Sequence, residues 1–176
     1  MAAPMPLHRT PEQKARERAV LLRSFGGVVV LVLAYSFLPF RGGNWWIGAV
    51  AGVALLASIL PVAVRRLRRV ATSDMPILDA AAALVLLVTL LVVGFASIYY
   101  AMNDQQQQIS GLMTRVDSLY FTVTTLATVG FGDIHAQSQW ARVVVTVQMM
   151  INLAFIGVAV RVFMRVAQGR QTPPRS

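Results

Sequence analysis

The residues best suited to chemistry in this chain are the seven of the segment ATVGFGD, residues 127 to 133. Two glycines, a threonine and a carboxylate interrupt a chain that otherwise consists largely of apolar runs. Glycine takes positive φ at little cost, so carbonyl groups that would alternate in direction can all point to one side. Thr128 adds a carbonyl and a hydroxyl oxygen at one end. Four copies of this segment around an axis would stack rings of oxygens that replace the hydration shell of a cation.

The position of this segment between membrane-length apolar runs restricts what it can face. Irregular backbone at membrane depth is tolerated only where it is buried in protein or lines a water-filled path. The part TVGFG, residues 128 to 132, is therefore predicted to face a pore axis, with its carbonyls bound to a dehydrated cation.

The stretch TTLATVGFGD, residues 124 to 133, resembles the potassium-channel signature T-x-x-T-x-G-[YF]-G-D. The order of elements around it also resembles the two-span pore module of that family, over roughly residues 77 to 165. The resemblance implies a homotetramer around one central path, with transported K⁺ as the bound ion and no organic cofactor. The implied selectivity filter comprises Thr128, Val129, Gly130, Phe131 and Gly132, with K⁺ held at the first four.

Several residues next to the implied filter receive supporting roles. Asp133 either concentrates cations at the outer mouth or makes a plain cap or hydrogen bond. Tyr120, Thr124 and Thr125 are predicted to support the filter from the pore helix. Family members often carry Tyr where Phe131 stands, and sometimes Glu where Thr124 stands. The bonds that brace this filter are therefore expected to differ, whereas selectivity should persist because backbone oxygens bind the ion.

The last apolar run is interpreted as the inner helix of the pore. Asn152 occupies the position where the family often has a hinge glycine, and we expect it either to face a water-filled cavity or to bond a neighbouring helix. Gln148 lies on a similar face. Ile156 and Val160 continue the stripe, either as an apolar constriction or as ordinary packing. Gly157 is either a hinge or a site of close packing.

Composition places the chain among membrane proteins. It is 56% hydrophobic with a mean hydropathy of +0.62, and 13% of its residues are charged, against about 25% in soluble proteins. The net charge is +9. Binding of nucleic acid would need a soluble basic face, and no soluble stretch of the chain is long enough to form one. With no cysteine, thiol chemistry and disulfides are excluded. His8 and His135 are far apart and no carboxylates pair within the membrane, so the chain is not predicted to be an enzyme.

Four apolar runs predict an all-α membrane protein with four transmembrane helices and a re-entrant pore helix and filter between the third and fourth. The first run has no evident cleavage site, which argues against a secretory signal. The predicted runs are Ser24 to Phe40, Trp45 to Val64, Ile77 to Tyr100, and Arg142 to Met164. The predicted units are an N-terminal segment, a transmembrane hairpin with a basic link, a pore module and a tail, at residues 1–23, 24–72, 73–165 and 166–176.

Basic residues predict the orientation, because Lys and Arg are enriched in cytoplasmic loops. They cluster before the first run, between the second and third, and after the fourth. Both termini are therefore expected in the cytoplasm, and the protein is expected in the plasma membrane. The cluster RRLRR is interpreted as an anchor or as a site for anionic lipid head groups. Its arginines are Arg65, Arg66, Arg68 and Arg69.

The shorter elements carry their own expectations. The pore helix should begin near Asp117 or Ser118, both good N-caps, and end near Ala127. The stretch MNDQQQQISGLMTRVD before it is predicted to be a solvated turret. Thr10 and Gln13 suggest a capped helix that either lies on the inner membrane surface or continues into the first span. The first hairpin is expected to pack outside the pore module.

These observations together predict a K⁺-selective channel subunit that conducts passively. Two alternatives remain open from the sequence: a weakly selective cation channel of the same architecture, and a non-conducting sensor or accessory subunit that keeps the pore fold. No soluble ligand-binding domain is evident, and membrane lipids are the other expected partners.

Overall fold

The computed structural model describes residues 11–37, 45–71 and 76–168. Within these ranges the chain is almost entirely helical, with two short strands between helices. The helices are α1 (Pro11–Phe37), α2 (Trp45–Ala71), α3 (Pro76–Gln106), α4 (Arg115–Leu126) and α5 (Gln139–Gln168), and the strands are β1 (Ile109–Ser110) and β2 (His135–Ala136).

Three of the described helices are long and apolar enough to cross a membrane. The qualifying stretches are Trp46–Arg66, Leu78–Asn103 and Gln139–Gly157. The apolar part of α1 is shorter, Phe25–Phe37. The prediction of spans two, three and four is therefore confirmed by length and composition, and the first run forms a helix whose apolar part falls below that length.

The N-terminal part of α1 decides between the two readings of the sequence before the first run. Pro11 opens a helix that continues without a break to Phe37. Continuity into the first apolar run is thus the arrangement found, rather than a separate surface helix. Thr10, the predicted cap, lies outside the described residues.

Helix α3 is the centre of the fold, because it contacts α1, α2, α4 and α5. Its buried side chains form most of the core, together with Tyr35 from α1, Phe121 from α4 and Val145 from α5. Helices α1 and α2 both lie against α3 within one chain, and the expectation that the first hairpin packs outside the pore module stays a prediction. The buried core residues of α3 include Leu91, Val93, Phe95, Ala96, Tyr99, Tyr100 and Ala101.

Helices α2 and α3 approach closely where two glycines meet. A β-carbon on Gly52 would lie 2.7 Å from the backbone oxygen of Gly94, and one on Gly94 would lie 2.7 Å from the Leu56 side chain. Small residues at such crossings let two membrane helices come into backbone contact. This contact fixes α2 along α3.

The segment between α3 and α4 corrects the prediction of a solvated turret. Ile109 and Leu112 are buried at 1% and 3% exposure. The Asn103 side chain bonds the Leu112 carbonyl at 2.5 Å and the Ile109 amide at 2.8 Å. Helix α3 also extends beyond the predicted span, and β1 pairs with β2 in antiparallel register. Only part of this polar stretch is solvated, because Ile109 and Leu112 turn inward against the core.

Candidate functional site

The candidate site is the segment of residues 127 to 133 that joins α4 to β2, and its backbone alternates in handedness. Thr128, Gly130 and Gly132 have φ of 57°, 56° and 83°, whereas neither Val129 nor Phe131 has positive φ. Alternation of this kind turns successive carbonyls toward the same side of the strand. Thr128 holds left-handed backbone although it has a β-carbon, which stores about 1–3 kcal/mol of strain. Such strain is typical of functional sites.

The C-terminal end of α4 holds the start of this segment. Ala127 caps the helix, and its N–H bonds the Val123 carbonyl at 2.8 Å. The Thr128 N–H then donates to Thr125 O at 3.2 Å, and the Val129 N–H donates to Thr124 O at 2.9 Å. The predicted supports Thr124 and Thr125 therefore contact the segment through their backbone carbonyls.

The hydroxyls of these two threonines point elsewhere. Thr124 and Thr125 both donate their hydroxyl protons to the Phe121 carbonyl, at 3.0 and 2.8 Å. These bonds stabilise the last turn of α4. Neither hydroxyl takes the place of the Glu side chain that some members of the potassium-channel family carry at the Thr124 position.

Tyr120 packs against the C-terminal half of the segment. Its ring stacks on Phe131 with centroids 6.3 Å apart and an interplanar angle of 4°. At the same end, Nδ1 of His135 lies 3.2 Å from the Gly132 carbonyl. Asp133 is exposed at the C-terminal end of the segment, and both roles considered for it stay predictions.

A glycine in the loop before α4 packs closely against the C-terminal end of the segment. Gly111 has φ of 79°, and a β-carbon there would lie 2.6 Å from the Asp133 carbonyl oxygen. Both the left-handed backbone and the close approach require the absence of a side chain.

Replacing Gly111 with alanine is expected to destabilise the outer end of the segment, because the new methyl group must displace the Asp133 backbone. The left-handed conformation alone costs about 1–2 kcal/mol for a residue with a β-carbon. Thermal unfolding of the purified protein should show the loss, and Gly26→Ala, where a β-carbon meets nothing within 4 Å, is the control. Equal stability of the two variants would contradict the close contact.

The start of α4 differs from the prediction by one turn. Thr114, not Asp117 or Ser118, is the N-cap, and its hydroxyl accepts the Asp117 N–H at 3.2 Å. The Asp117 carboxylate accepts the N–H groups of Met113 and Thr114 at 3.0 and 2.7 Å, which completes a capping box. The prediction chose the third residue of the box instead of its cap. The helix end at Ala127 is as predicted.

These bonds change the acidity of Asp117. Burial opposes ionisation of its carboxyl, but the N–H donors of Met113 and Thr114 outweigh burial and lower its pKa below the ordinary value. A lowered pKa means that the box stabilises the helix start above the ordinary carboxyl pKa and loses this effect as pH falls through the lowered one.

A buried amide joins three helices behind the segment and corrects the predicted role of Gln148. Gln148 is 0% exposed. Its Oε1 accepts the Tyr99 hydroxyl at 2.5 Å, and its Nε2 donates to Thr122 O at 3.1 Å. Both bonds lie within one chain, so the side chain is enclosed by α3 and α4 and does not line a cavity. Its polar ends are satisfied by these partners.

Asn152 lies one turn further along α5 and faces α4. It is 3% exposed, and its Nδ2 makes a long contact of 3.4 Å to Thr125 O. Of the two alternatives, a bond to a neighbouring helix is the one observed. Its Oδ1 is buried and has no hydrogen-bond partner within the described chain.

The remaining inner-helix residues lie on open surface of the single chain. Ile156 and Val160 are 46% and 54% exposed. A β-carbon on Gly157 would meet nothing within 4 Å, so this glycine makes no close helix contact inside one chain. These three residues are therefore free to face either another copy of the chain or an enclosed path.

The basic cluster belongs to the end of α2, which runs to Ala71. Arg65 and Arg66 line a shallow pocket together with Val62 of the same helix and Leu86 of α3. Arg68 is exposed, and the side chain of Arg69 lies outside the described part of the structure. Two arginines over an apolar floor suit the junction of a lipid head group and its chains.

Sequence reasoning missed three residues that connect α4 to its neighbours: Tyr35 of α1, Tyr99 of α3, and Arg115, the first residue of α4. The signal available was a phenol within an apolar run, because a buried tyrosine hydroxyl usually finds a hydrogen-bond partner. Which partner it finds depends on packing between helices.

Comparison with known proteins supports one broad assignment. Residues 87–169 match the model of a family described as ion channel. The matched part contains the second half of α3, the strand pair, α4, the candidate segment and α5, and it supports an ion channel of the membrane. No curated protein and no solved structure matches the chain.

Proposed function

We propose that this chain is one subunit of a homotetrameric, K⁺-selective channel that conducts passively across the plasma membrane. The filter is formed by residues 128 to 132, and K⁺ is the transported ion. The observation that carries the proposal is the alternation of φ along Thr128, Gly130 and Gly132. Such a ribbon presents backbone oxygens on one side, which is the arrangement that can replace the water around a cation.

The exposure of this ribbon in a single chain supports assembly around an axis. Val129 and Phe131 are 52% and 70% exposed. Irregular backbone between membrane helices cannot face lipid, because its polar groups would lack partners. Additional copies of the chain would cover the exposed side and leave the carbonyls facing a shared path. The family match over residues 87–169 agrees with this use of the module.

The orientation of α4 favours a cation at the inner end of the path. The helix has its N-cap at Thr114 and ends at Ala127, directly before the filter. The C-terminal end of a helix carries partial negative charge. In the proposed tetramer, four such ends converge below the filters, where Ile156 and Val160 of α5 form the walls of the inner path.

We extend the proposal to four membrane crossings with both termini in the cytoplasm. The apolar part of α1, Phe25–Phe37, covers about 20 Å at 1.5 Å per residue of the ~30 Å hydrocarbon core, so this crossing also needs residues on either side of it. The basic end of α2 would then lie at the cytoplasmic surface, where Arg65 and Arg66 meet anionic lipids. Asp133 would lie at the outer mouth.

Reconstitution of the full chain in liposomes tests the function. Under opposed K⁺ and Na⁺ gradients, we expect a reversal potential close to that of K⁺, and block by Ba²⁺, a divalent ion of similar size. A reversal potential near zero would show a weakly selective channel, and no flux from correctly assembled protein would show a non-conducting subunit. Electron microscopy of the same sample should show fourfold symmetry, and any other symmetry overturns the tetramer.

A further inference from the structure

The C-terminal end of α1 contacts the N-terminal end of α4 through polar groups. Tyr35 is 1% exposed although it belongs to an apolar helix. Its hydroxyl lies 3.0 Å from the Arg115 carbonyl and 2.5 Å from Oγ of Ser118. Oγ of Ser118 in turn lies 2.7 Å from the same carbonyl. The Tyr35 hydroxyl can donate to the Arg115 carbonyl and accept from Ser118, or it can donate to Ser118 while Ser118 donates to that carbonyl. Both hydroxyl protons are hydrogen-bonded in either arrangement.

Arg115 makes the reciprocal contact. Its guanidinium donates to the Tyr35 carbonyl at 2.9 Å and to the Ser36 carbonyl. Both carbonyls belong to the last turn of α1, where backbone acceptors have no partner within the helix. A cation at a helix C-terminus also interacts favourably with the helix dipole. The first residue of α4 therefore caps the last turn of α1.

A third helix encloses this contact. The guanidinium carbon of Arg115 lies 5.8 Å from the centroid of the Tyr100 ring on α3, within the range of a cation–π interaction. Since α1, α3 and α4 meet at Arg115, the start of the pore helix is tied to a helix that lies outside the matched module, residues 87–169.

Helix α4 can transmit a displacement at this point to the filter. It has 12 residues and runs without a break from Arg115 to Leu126. Its last carbonyls hold the N–H groups of Thr128 and Val129. Between these ends α4 is also held by the Gln148–Thr122 bond and by Phe121 in the core, and loss of the attachment to α1 leaves its start free to move relative to these points.

We propose that Tyr35, Ser118 and Arg115 form a latch by which α1 positions the pore helix, and that this latch sets how long the filter stays conductive. The inference rests on the proposed channel function. Tyr35 and Arg115 are positioning residues in this scheme, because they contact neither the filter nor the ion. Opening of the latch frees the start of α4, and the filter then collapses more readily from its strained backbone.

The test compares K⁺ currents of the full chain with Tyr35→Phe, which removes one hydroxyl and keeps the ring. The matched control is Ser36→Ala, since the Ser36 hydroxyl is exposed and bonds only Val32 O of its own helix. We expect currents of Tyr35→Phe to decay about two- to tenfold faster, the range of one lost hydrogen bond. Unitary conductance and K⁺ selectivity should stay unchanged, because the filter residues are untouched.

Potassium itself supplies a readout that loss of packing alone would not move. An ion that binds only the conductive filter stabilises that state by mass action. Raising external K⁺ should therefore slow the decay of Tyr35→Phe toward the rate of the parent chain. Arg115→Gln should decay faster too, and the double variant should decay no faster than the more severe single one, because both substitutions open the same latch.

The outcomes separate the latch from the channel function. If the parent chain does not conduct, the proposed function fails. If the parent conducts and Tyr35→Phe decays like Ser36→Ala, the latch is wrong. Should Tyr35→Phe assemble poorly in gel filtration, Ser118→Ala takes its place, since it removes the buried partner and leaves the Tyr35 ring in position. Decay equal to that of the control, or decay insensitive to K⁺, then overturns the proposal.

Discussion

Replacing Gly130 with alanine is expected to abolish K⁺ flux while leaving the protein folded. Gly130 has φ of 56°, a conformation that costs a residue with a β-carbon about 1–2 kcal/mol. The proposed tetramer repeats the cost in each subunit, so the conductive filter loses about 4–8 kcal/mol in total. Apart from its chain neighbours, no atom of residues 11–37, 45–71 and 76–168 lies within 4 Å of the added β-carbon, so folding of this part of one subunit is not obstructed. The backbone instead relaxes to a form in which its carbonyls no longer share one side.

Liposome flux measures the first part of this expectation, and gel filtration with thermal unfolding measures the second. Gly26→Ala is the matched control, because it adds the same methyl group in open space at a helical glycine. Flux of Gly130→Ala equal to that of the control would show that left-handed backbone at this position is not needed, and the filter as described would then be wrong.

Replacing Gln148 with leucine is expected to destabilise the protein by about 1–3 kcal/mol per subunit. The substitution keeps the volume of the side chain but leaves the buried Tyr99 hydroxyl without its acceptor and Thr122 O without the Gln148 donor. A buried polar group without a partner pays its full desolvation cost. The loss is expected to appear as a lower midpoint of thermal unfolding in detergent.

A double variant separates loss of the bond from loss of packing. Tyr99→Phe removes the orphaned hydroxyl, so Gln148→Leu with Tyr99→Phe should be more stable than Gln148→Leu alone. Met149→Leu, a change at the exposed neighbouring residue, is the control and should unfold like the parent chain. A double variant less stable than Gln148→Leu would contradict the hydrogen bond between the two helices.

The two predictions depend on different levels of structure, and they show how far the sequence reaches. The spacing of Gly130 and Gly132 is a local property, because a glycine at every second residue permits alternating handedness wherever the segment lies. The long apolar runs are equally local, since about 20 such residues suffice to cross a membrane. Both were therefore predicted from the chain, and the structure has helices over the predicted runs and left-handed backbone at both glycines.

Some errors had local signals that were not used. Thr114 and Asp117 have the spacing of a capping box, which identifies the earlier residue as the cap. The choice of Asp117 or Ser118 placed the helix start too late. Ile109 and Leu112, by contrast, lie in a largely polar stretch without apolar periodicity, and their burial follows from a core that other helices supply.

The sequence by itself determined the class of protein, the helices and the glycine-bearing segment proposed as the filter, because periodicity, apolar length and glycine spacing act over a few neighbouring residues. The tertiary structure alone decided the partners of the polar side chains. Tyr35 and Ser118 are 83 residues apart and Tyr99 and Gln148 are 49 apart, yet each pair is hydrogen-bonded. A buried hydroxyl or amide must find a partner, and which one it finds is set by the way the helices pack.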